Sequence, residues 1–128
     1  ESATFMPLKN TNMKKFFYLS TCSTCQRIMN EVNLDGIELK DIKTNKITTE
    51  EIEEMVKLSG NYQSLFSKRA LKYKSLGLAE KAMTESDFRT YILEEYTFLK
   101  RPVLLLDNSI YVGNSKSEVE KMKMAQRS

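Results

Sequence analysis

Two cysteines separated by two residues are the sharpest chemical feature of this 128-residue chain. Cys22 and Cys25 lie between a short apolar run and a stretch whose apolar residues have helical spacing. Cysteines at this spacing on the first turn of a helix lie roughly 5 to 6 Å apart, close enough to form a disulfide. The first also meets free amides and the positive end of the helix dipole, which favour its thiolate. A thiolate is the nucleophile of thiol exchange, so the pattern indicates redox chemistry.

Two other interpretations of the cysteine pair stay open. Free cysteines are often only small buried hydrophobic residues. A zinc site normally needs four ligands, whereas this chain has two thiols and no histidine, so zinc would require a cysteine pair from a second chain. The lack of histidine also excludes Ser-His, Cys-His and His-metal mechanisms. We therefore expect no metal and no bound cofactor.

The composition limits the class of protein. Hydrophobic residues make up 41% of the chain, enough for one core. The longest aliphatic run, Val103–Leu106, is far shorter than the roughly 20 residues of a membrane-spanning helix. The 20 basic and 17 acidic residues are interspersed, so charge alone favours neither a nucleic-acid nor a membrane partner. Two cysteines are too few for a disulfide-rich secreted scaffold, and we expect a cytoplasmic protein.

The order of apolar patterns predicts where the cysteines lie. The run over 16–19 predicts a strand, and Ile28, Met29 and Val32 predict a helix that ends before Asp35-Gly36. The alternation over 37–41 predicts a second strand. Together they form a β-α-β unit with the cysteine pair at the first strand-to-helix junction.

The middle of the chain is predicted to be helical. Residues 48–51 fit a capping box for a helix that Ser59-Gly60 ends. Thr84 is predicted to be the N-cap of a longer amphipathic helix. Its apolar stripe, interpreted as core side-chain packing, consists of Phe88, Tyr91, Ile92, Tyr96 and Leu99.

The last third of the chain predicts a hairpin and a helix. Val103–Leu106 is a predicted buried strand, followed by a turn at 107–109 and a partner strand at 110–112. A second capping box at 115–118 predicts a C-terminal helix.

This order predicts an α/β protein with a thioredoxin-like fold: a mixed four-stranded sheet with a helical insertion at about 46–99, in one domain over 13–128. Residues 1–12 lack periodicity, and we expect a disordered extension or a remnant of the expression vector.

Three motifs in order relate the chain to known proteins. They are Cys22-Ser23-Thr24-Cys25 after a strand, Ser67-Lys68-Arg69 ahead of 72–78, and Lys100-Arg101-Pro102-Val103 ahead of Val112-Gly113. With them the sequence resembles the arsenate reductase (ArsC)/Spx family of the thioredoxin-like superfamily, from about Lys14 to Val119. The resemblance implies a thioredoxin-like fold with a helical insertion. It also implies a site built from the first cysteine and two downstream arginines.

The resemblance assigns roles to matching positions. Cys22 would be the attacking thiolate, with Arg69 and Arg101 binding the substrate. The spacing of the cysteine pair makes Cys25 its candidate catalytic partner. Guanidinium groups match the oxygens of a tetrahedral oxyanion and stay charged at any working pH. Pro102 matches the family's proline that faces the reactive cysteine, and the resemblance implies a cis peptide bond before it.

Two departures from the family pattern bear on the substrate. Glutaredoxin-coupled arsenate reductases of the family carry a third arginine at about Gly113-Asn114, and its absence weakens the case for arsenate. They also commonly have another residue where Cys25 stands, and its presence favours an internal disulfide, as in Spx-like members. Against a full Spx assignment, Gln26 replaces the usual basic residue after the pair, and the tail beyond Gly113 is shorter than in those regulators.

The resemblance leaves three functions open. The first is an arsenate reductase-like oxidoreductase that reduces an oxyanion or a disulfide, with glutathione and glutaredoxin or thioredoxin as electron donors. The second is an Spx-like redox-sensing regulator that binds the alpha subunit of RNA polymerase without binding nucleic acid directly. Gly60 lies near the family's glycine for that contact, although it is more simply a helix C-cap. The third is a thioredoxin-fold protein without a specific substrate.

Overall fold

The computed structural model describes residues 13–125. Its strands are β1 (Lys14–Tyr18), β2 (Glu38–Asp41), β3 (Val103–Leu106) and β4 (Ser109–Val112). Its α-helices are α1 (Ser23–Glu31), α2 (Thr49–Ser59), α3 (Leu71–Ser75), α4 (Glu85–Glu94) and α5 (Lys116–Ala125). Short 3₁₀ turns occupy Gln63–Leu65, Leu78–Glu80 and Tyr96–Phe98. The expectation for residues 1–12 lies outside the described residues.

The strands form one mixed sheet in the order β2-β1-β3-β4. β1 is parallel to β2 and antiparallel to β3, and β3 and β4 form an antiparallel hairpin. Parallel neighbours need a crossover connection, which α1 provides between β1 and β2. The mixed four-stranded sheet with helices confirms the predicted fold class. The insertion predicted at about 46–99 contains α2, α3, α4 and the three 3₁₀ turns.

The central strand β1 divides the core into two clusters. Phe16 and Phe17 are adjacent and fully buried, and they point to opposite faces of the sheet because side chains alternate along a strand. Phe17 belongs to the larger cluster, formed with the helical insertion, whereas Phe16 packs with Ile28 of α1 and Met122 of α5. Each buried phenylalanine contributes on the order of 2 kcal/mol, so both faces stabilise the same strand.

Two helices begin where the sequence predicts, one at the predicted capping box of residues 48–51 and the other at the predicted N-cap Thr84. Thr48 Oγ1 accepts a hydrogen bond from the Glu51 amide at 3.1 Å, and the Glu51 carboxylate accepts one from the Thr48 amide at 2.9 Å. Thr84 and Asp87 make the same reciprocal pair at the start of α4. Both predicted helix starts are therefore confirmed. Gly60 ends α2 in the left-handed region, with φ of 99°.

The predicted length of the fourth helix is wrong. α4 ends at Glu94, and Glu95 has extended backbone angles, φ −135° and ψ 111°. The Glu95 carboxylate accepts hydrogen bonds from the Thr97 hydroxyl at 2.9 Å and the Thr97 amide at 3.4 Å. This side-chain cap competes with helix continuation and starts a separate 3₁₀ turn. Leu99 is buried as predicted, but it enters the core from beyond that turn rather than from the helix stripe.

Only one of the two hydrogen bonds of the predicted C-terminal capping box forms. Ser115 Oγ accepts from the Glu118 amide at 3.1 Å. The Glu118 carboxylate instead accepts from the Val112 amide at 3.1 Å, which ties α5 to the end of β4. The hairpin turn is also shorter than predicted, because β4 begins at Ser109.

A buried carboxylate joins α2 to the sheet. Glu51 is only 5% exposed, and its oxygens lie 2.8 Å from Lys15 Nζ on β1 and 2.6 Å from Lys40 Nζ on β2. Burial raises the pKa of Glu51, but hydrogen bonds from both lysines and from the Thr48 amide bring that pKa below its ordinary value. The start of the insertion is therefore fixed to the two strands that flank the cysteine junction.

Replacing Glu51 with glutamine leaves two half-buried lysines without their counter-charge, and we predict a loss of about 2 kcal/mol in the free energy of unfolding near neutral pH. Since the folded-state pKa is lowered, this stabilisation is present above the unfolded pKa and is lost as pH falls through the folded pKa. Urea denaturation near pH 7 and near pH 3 measures both effects.

The difference between the wild-type protein and Glu51→Gln should shrink in acid. Glu50→Gln is the matched control, because Glu50 is exposed on the same helical turn. Equal losses in the two variants at neutral pH would contradict the prediction.

Candidate active site

Cys22 lies at the boundary between the sheet and the first helix. It is the residue before α1, and its backbone is extended, with φ −96° and ψ 115°. This position follows the carboxyl end of β1, where the first amides of α1 have no partner inside the helix. The amides of Thr24 and Cys25 act on its sulfur, and the thiol is half-buried. Cys22 therefore lies at the strand-to-helix junction where the sequence predicts it.

The two thiols differ in acidity. Burial raises the pKa of Cys22, but the amide and thiol of Cys25, the Thr24 amide and the charge of Arg101 bring that pKa below its ordinary value of 9.0. Cys25 is fully buried in the larger core cluster, and its burial raises its pKa to about 11. Both thiols are free. Cys22 is therefore the thiol that ionises first, and Cys25 stays protonated at neutral pH.

A cleft of about 940 Å³ opens beside Cys22. Four cationic residues line it, namely Lys68, Arg69, Lys100 and Arg101. Neutral hydrogen-bonding side chains complete the polar wall: Thr24, Gln63, Ser64, Ser67, Asn114 and Ser115. No acidic residue of the described chain lines the cleft. It is therefore electropositive and suited to an anion.

A short antiparallel bridge brings the two arginines to this cleft. Segments 65–67 and 98–100 pair through two backbone N–H···O bonds of 2.7 and 2.8 Å. Arg69 and Arg101 lie two residues and one residue beyond these segments. Two arginines more than thirty positions apart in the chain thus line the same cleft as Cys22.

The two arginines are held differently. Arg101 Nη1 donates to the carbonyl oxygens of Thr97 at 3.4 Å and Leu99 at 3.5 Å. Its Nε is buried and has no hydrogen-bond partner among the described residues. The Arg101–Pro102 peptide bond is cis, as the resemblance implied. Arg69 is exposed, and its amide donates to Ser67 Oγ at 3.3 Å.

The position of the family's third arginine also lies at the cleft. Gly113 and Asn114 line it, and the Gly113 amide donates to the Pro102 carbonyl at 2.8 Å. This wall therefore offers an amide side chain in place of a guanidinium. Gly60 does not line the cleft, and its position at the end of α2 fits the helix-cap interpretation.

The sequence interpretation did not assign the two lysines of the cleft. Lys68 and Lys100 each precede a site arginine, so the same Lys-Arg dipeptide occurs in both motifs. That repetition is the signal that points to them. No group of at least three Cys, Asp or Glu side chains within residues 13–125 could hold a metal ion. Within the same range, every helix is too short or too polar to span a bilayer.

The fold and the cleft define a thioredoxin-like α/β protein whose cysteine pair opens the first helix beside a cationic cleft. The model of the ArsC family matches residues 17–122, which is most of the chain. The chain therefore belongs to the ArsC family.

The proteins that the chain resembles include a transcriptional regulator and an arsenate reductase. The chain is 24% identical over 106 residues to the global transcriptional regulator Spx 2 of Bacillus cereus, covering 80% of each chain. A Bacteroides fragilis structure described as ArsC family related has a TM-score of 0.69 at 28% identity, covering 87% of this chain and 99% of the other. The arsenate reductase of Vibrio cholerae, at 16% identity, shares the fold with a TM-score of 0.67 over 87% and 99% of the chains.

We predict that iodoacetamide modifies Cys22 before Cys25 under mildly acidic conditions. The lowered pKa of Cys22 preserves a thiolate fraction there, whereas burial holds the pKa of Cys25 at about 11. Selectivity should be at least about tenfold, read by mass-spectrometric peptide mapping. The same labelling in urea is the control, because unfolding removes the difference in burial. Faster labelling of Cys25 in the folded protein would reverse the assignment of nucleophile.

Proposed function

We propose that this protein is an arsenate reductase-like thiol oxidoreductase in which Cys22 is the nucleophile and Cys25 the resolving thiol. Arg69 and Arg101 would bind the anionic part of the substrate. The observation that supports this most directly is the position of the Cys22 thiol beside a cleft with four cations and no acidic residue among the described ones. Family membership supports the same class of chemistry.

With arsenate, the first step forms a bond between the Cys22 sulfur and arsenic, and one arsenate oxygen leaves as water after protonation. A second thiol then attacks the Cys22 sulfur and forms a disulfide. The sulfur–arsenic bond breaks, and its electron pair leaves with arsenic. Arsenic(V) is thereby reduced to arsenic(III), and two thiols are oxidised to one disulfide.

A disulfide substrate follows the same order of attack. The Cys22 thiolate attacks one sulfur and releases the other as a thiolate, which takes a proton. Cys25 then attacks the mixed disulfide, releases the second substrate thiol and leaves a Cys22–Cys25 disulfide. Glutathione with glutaredoxin, or a thioredoxin-type dithiol, would return the pair to its reduced state. Such donors are those of the reducing cytosol, which is where we propose that the protein works.

The cationic cleft contributes through charge. Guanidinium groups donate paired hydrogen bonds to an oxyanion, and the charge of Arg101 also favours the thiolate. The uncharged wall at Gly113 and Asn114 supplies less attraction than a third guanidinium would. We therefore expect weak binding of arsenate and include anionic disulfides in the substrate class.

A second candidate function is a redox-sensing regulator that binds the alpha subunit of RNA polymerase. It is favoured by the likeness to Spx 2 of Bacillus cereus, a global transcriptional regulator. In that function the cysteine pair would be a switch rather than a catalyst. Retention of purified alpha subunit by the immobilised protein would support it, and turnover without such retention would favour the enzyme.

Arsenate should drive consumption of reducing equivalents when glutathione and glutaredoxin are supplied, and glutathione disulfide should do so when a thioredoxin-type dithiol is the donor. We expect Cys22→Ser to abolish turnover, since it removes the nucleophile. Arg101→Gln should lower kcat/KM by roughly a hundredfold, because a charged anion ligand is lost. Lys57→Gln is the control, since Lys57 is an exposed cation that does not line the cleft. No turnover of either substrate by the wild-type protein would contradict the proposal.

Cys25 should make oxidation internal and reversible. We expect diamide to remove two hydrogens from the wild-type protein and form the Cys22–Cys25 disulfide, which dithiothreitol reverses. The bond closes a very short loop and should add little chain-entropy stabilisation, as expected for a catalytic or regulatory disulfide. In Cys25→Ser, Cys22 should accumulate a mixed disulfide with glutathione. Intact mass spectrometry reads both products, and equal glutathionylation of the two proteins would identify Cys25 as a packing residue.

A further inference from the structure

One carboxylate contacts residues that lie near both site arginines in the chain, Lys72 and Thr97. Glu95 follows the last residue of α4, and its side chain is 20% exposed. Its Oε1 accepts a hydrogen bond from Lys72 Nζ at 2.7 Å. Its Oε2 accepts from the Thr97 hydroxyl at 2.9 Å and from the Thr97 amide at 3.4 Å. Glu95 itself does not line the cleft.

On one side, Glu95 is linked to Arg101 through Thr97. The Thr97 residue that Glu95 holds presents its carbonyl oxygen to Arg101 Nη1 at 3.4 Å, and the second acceptor, Leu99 O, lies at 3.5 Å. Thr97 lies in the 3₁₀ turn and Leu99 is the residue after it, so the position of that turn decides where both carbonyl oxygens lie relative to the guanidinium. Because Glu95 caps that turn, it fixes the acceptors of Arg101.

On the other side, Glu95 is linked to the segment of Arg69 through Lys72. Lys72 belongs to α3 and lies three residues after Arg69, which lines the cleft. The Lys72–Glu95 ion pair joins this segment to the turn that holds Arg101. Its Lys72 side chain is 58% exposed, so the pair adds little to overall stability. Its effect is geometric, because it links two loops that are otherwise joined by the backbone bridge of 65–67 and 98–100.

We propose that Glu95 is a positioning residue that sets Arg69 and Arg101 relative to Cys22, through Lys72 on one side and Thr97 on the other. This rests on the proposed function, since it concerns the arginines that would bind the substrate there. Among residues 13–125, Lys68 and Lys100 are the remaining charged residues that line the cleft with Cys22.

Two other roles for Glu95 give different results. A cap that only stabilises the turn would change the melting temperature and leave the thiol unaffected. A carboxylate that acts on Cys22 directly through its charge opposes the thiolate, so its removal would lower the pKa of Cys22. Positioning gives the opposite sign, because a displaced Arg101 stabilises the thiolate less. The direction of change therefore separates the three roles.

The test is the pH dependence of Cys22 alkylation by iodoacetamide, with and without sulfate as the anion probe. Glu95→Ala should slow alkylation near pH 7 by roughly threefold, raise the pH midpoint and weaken protection by sulfate. Glu95→Gln keeps an oxygen acceptor for Thr97 and should retain most of the wild-type midpoint. Lys72→Met removes only the link between Glu95 and the segment of Arg69. It should therefore weaken the protection of Cys22 by sulfate without moving the pH midpoint of alkylation. Glu94→Ala is the control for loss of a neighbouring carboxylate.

Arg101→Gln separates failure of this proposal from failure of the proposed function. Arg101→Gln by itself should raise the pH midpoint of Cys22 alkylation. Adding Glu95→Ala to that variant should raise the midpoint no further. A midpoint that is unchanged or lower in Glu95→Ala, while Arg101→Gln raises it, overturns the positioning role and leaves the role of Arg101 intact. No rise with Arg101→Gln overturns both.

A variant that fails to fold does not end the test. If circular dichroism shows that Glu95→Ala is unfolded, Thr97→Val takes its place. That substitution removes the hydroxyl bonded to Glu95 and keeps the side-chain shape. The same rise of the midpoint is expected, and an unchanged midpoint overturns the proposal.

Discussion

The burial of β1 on both faces is the constraint on which the rest of the structure depends. Phe16 and Phe17 require cover on opposite sides of the sheet, which α1 and α5 give to one and the helical insertion to the other. Parallel pairing with β2 then makes α1 the crossover helix. Its first amides consequently meet Cys22, the residue before α1 and the fourth after the end of β1. The chemical environment of the thiol is thus a consequence of sheet topology.

Aromatic packing holds together the loops whose cations repel one another at the cleft. Four cations without a lining acidic residue in the described chain repel one another, so something must hold their loops together. Phe66 stacks on Phe98 with ring centroids 4.9 Å apart and meets Phe88 edge-on at the same distance. Phe66 and Phe98 belong to the two segments, 65–67 and 98–100, that the backbone bridge joins. The apolar core therefore stabilises a concentration of positive charge that a bound anion would neutralise.

Local patterns predicted the elements well, and side-chain hydrogen bonds that apolar spacing does not encode explain what those patterns missed. The caps at Thr48 and Thr84 depend on residues three positions apart, so the sequence alone contains them. The end of α4 was missed because apolar spacing continues through Tyr96 and Leu99, whereas the Glu95 side chain stops the helix. The half-formed box at Glu118 was missed because its partner lies on β4.

The site shows the same division between local and long-range information. The cysteine spacing and the helix start predict a differentiated thiol pair from neighbouring residues alone. Nothing in the spacing brings Arg69 and Arg101 together, since their meeting depends on the bridge between two distant segments. The resemblance supplied these two positions. The contact of Glu95 with Lys72 and Thr97 has no signal in the sequence pattern, because it joins α3 to the turn after α4.

The electrostatics of the pair also give the proposed mechanism its order. Burial contributes most to the raised pKa of Cys25, and the neighbouring Cys22 sulfur raises it further, while the charge of Arg101 lowers it. Before substrate binds, the thiolate of Cys22 therefore helps keep Cys25 protonated. Once Cys22 is bonded to a substrate atom, its negative charge is gone, while the hydrogen bond with the Leu19 backbone and the charge of Arg101 still lower the pKa of Cys25. The resolving thiol is thus easier to ionise only after the first bond has formed, which favours attack by Cys22 first and by Cys25 second.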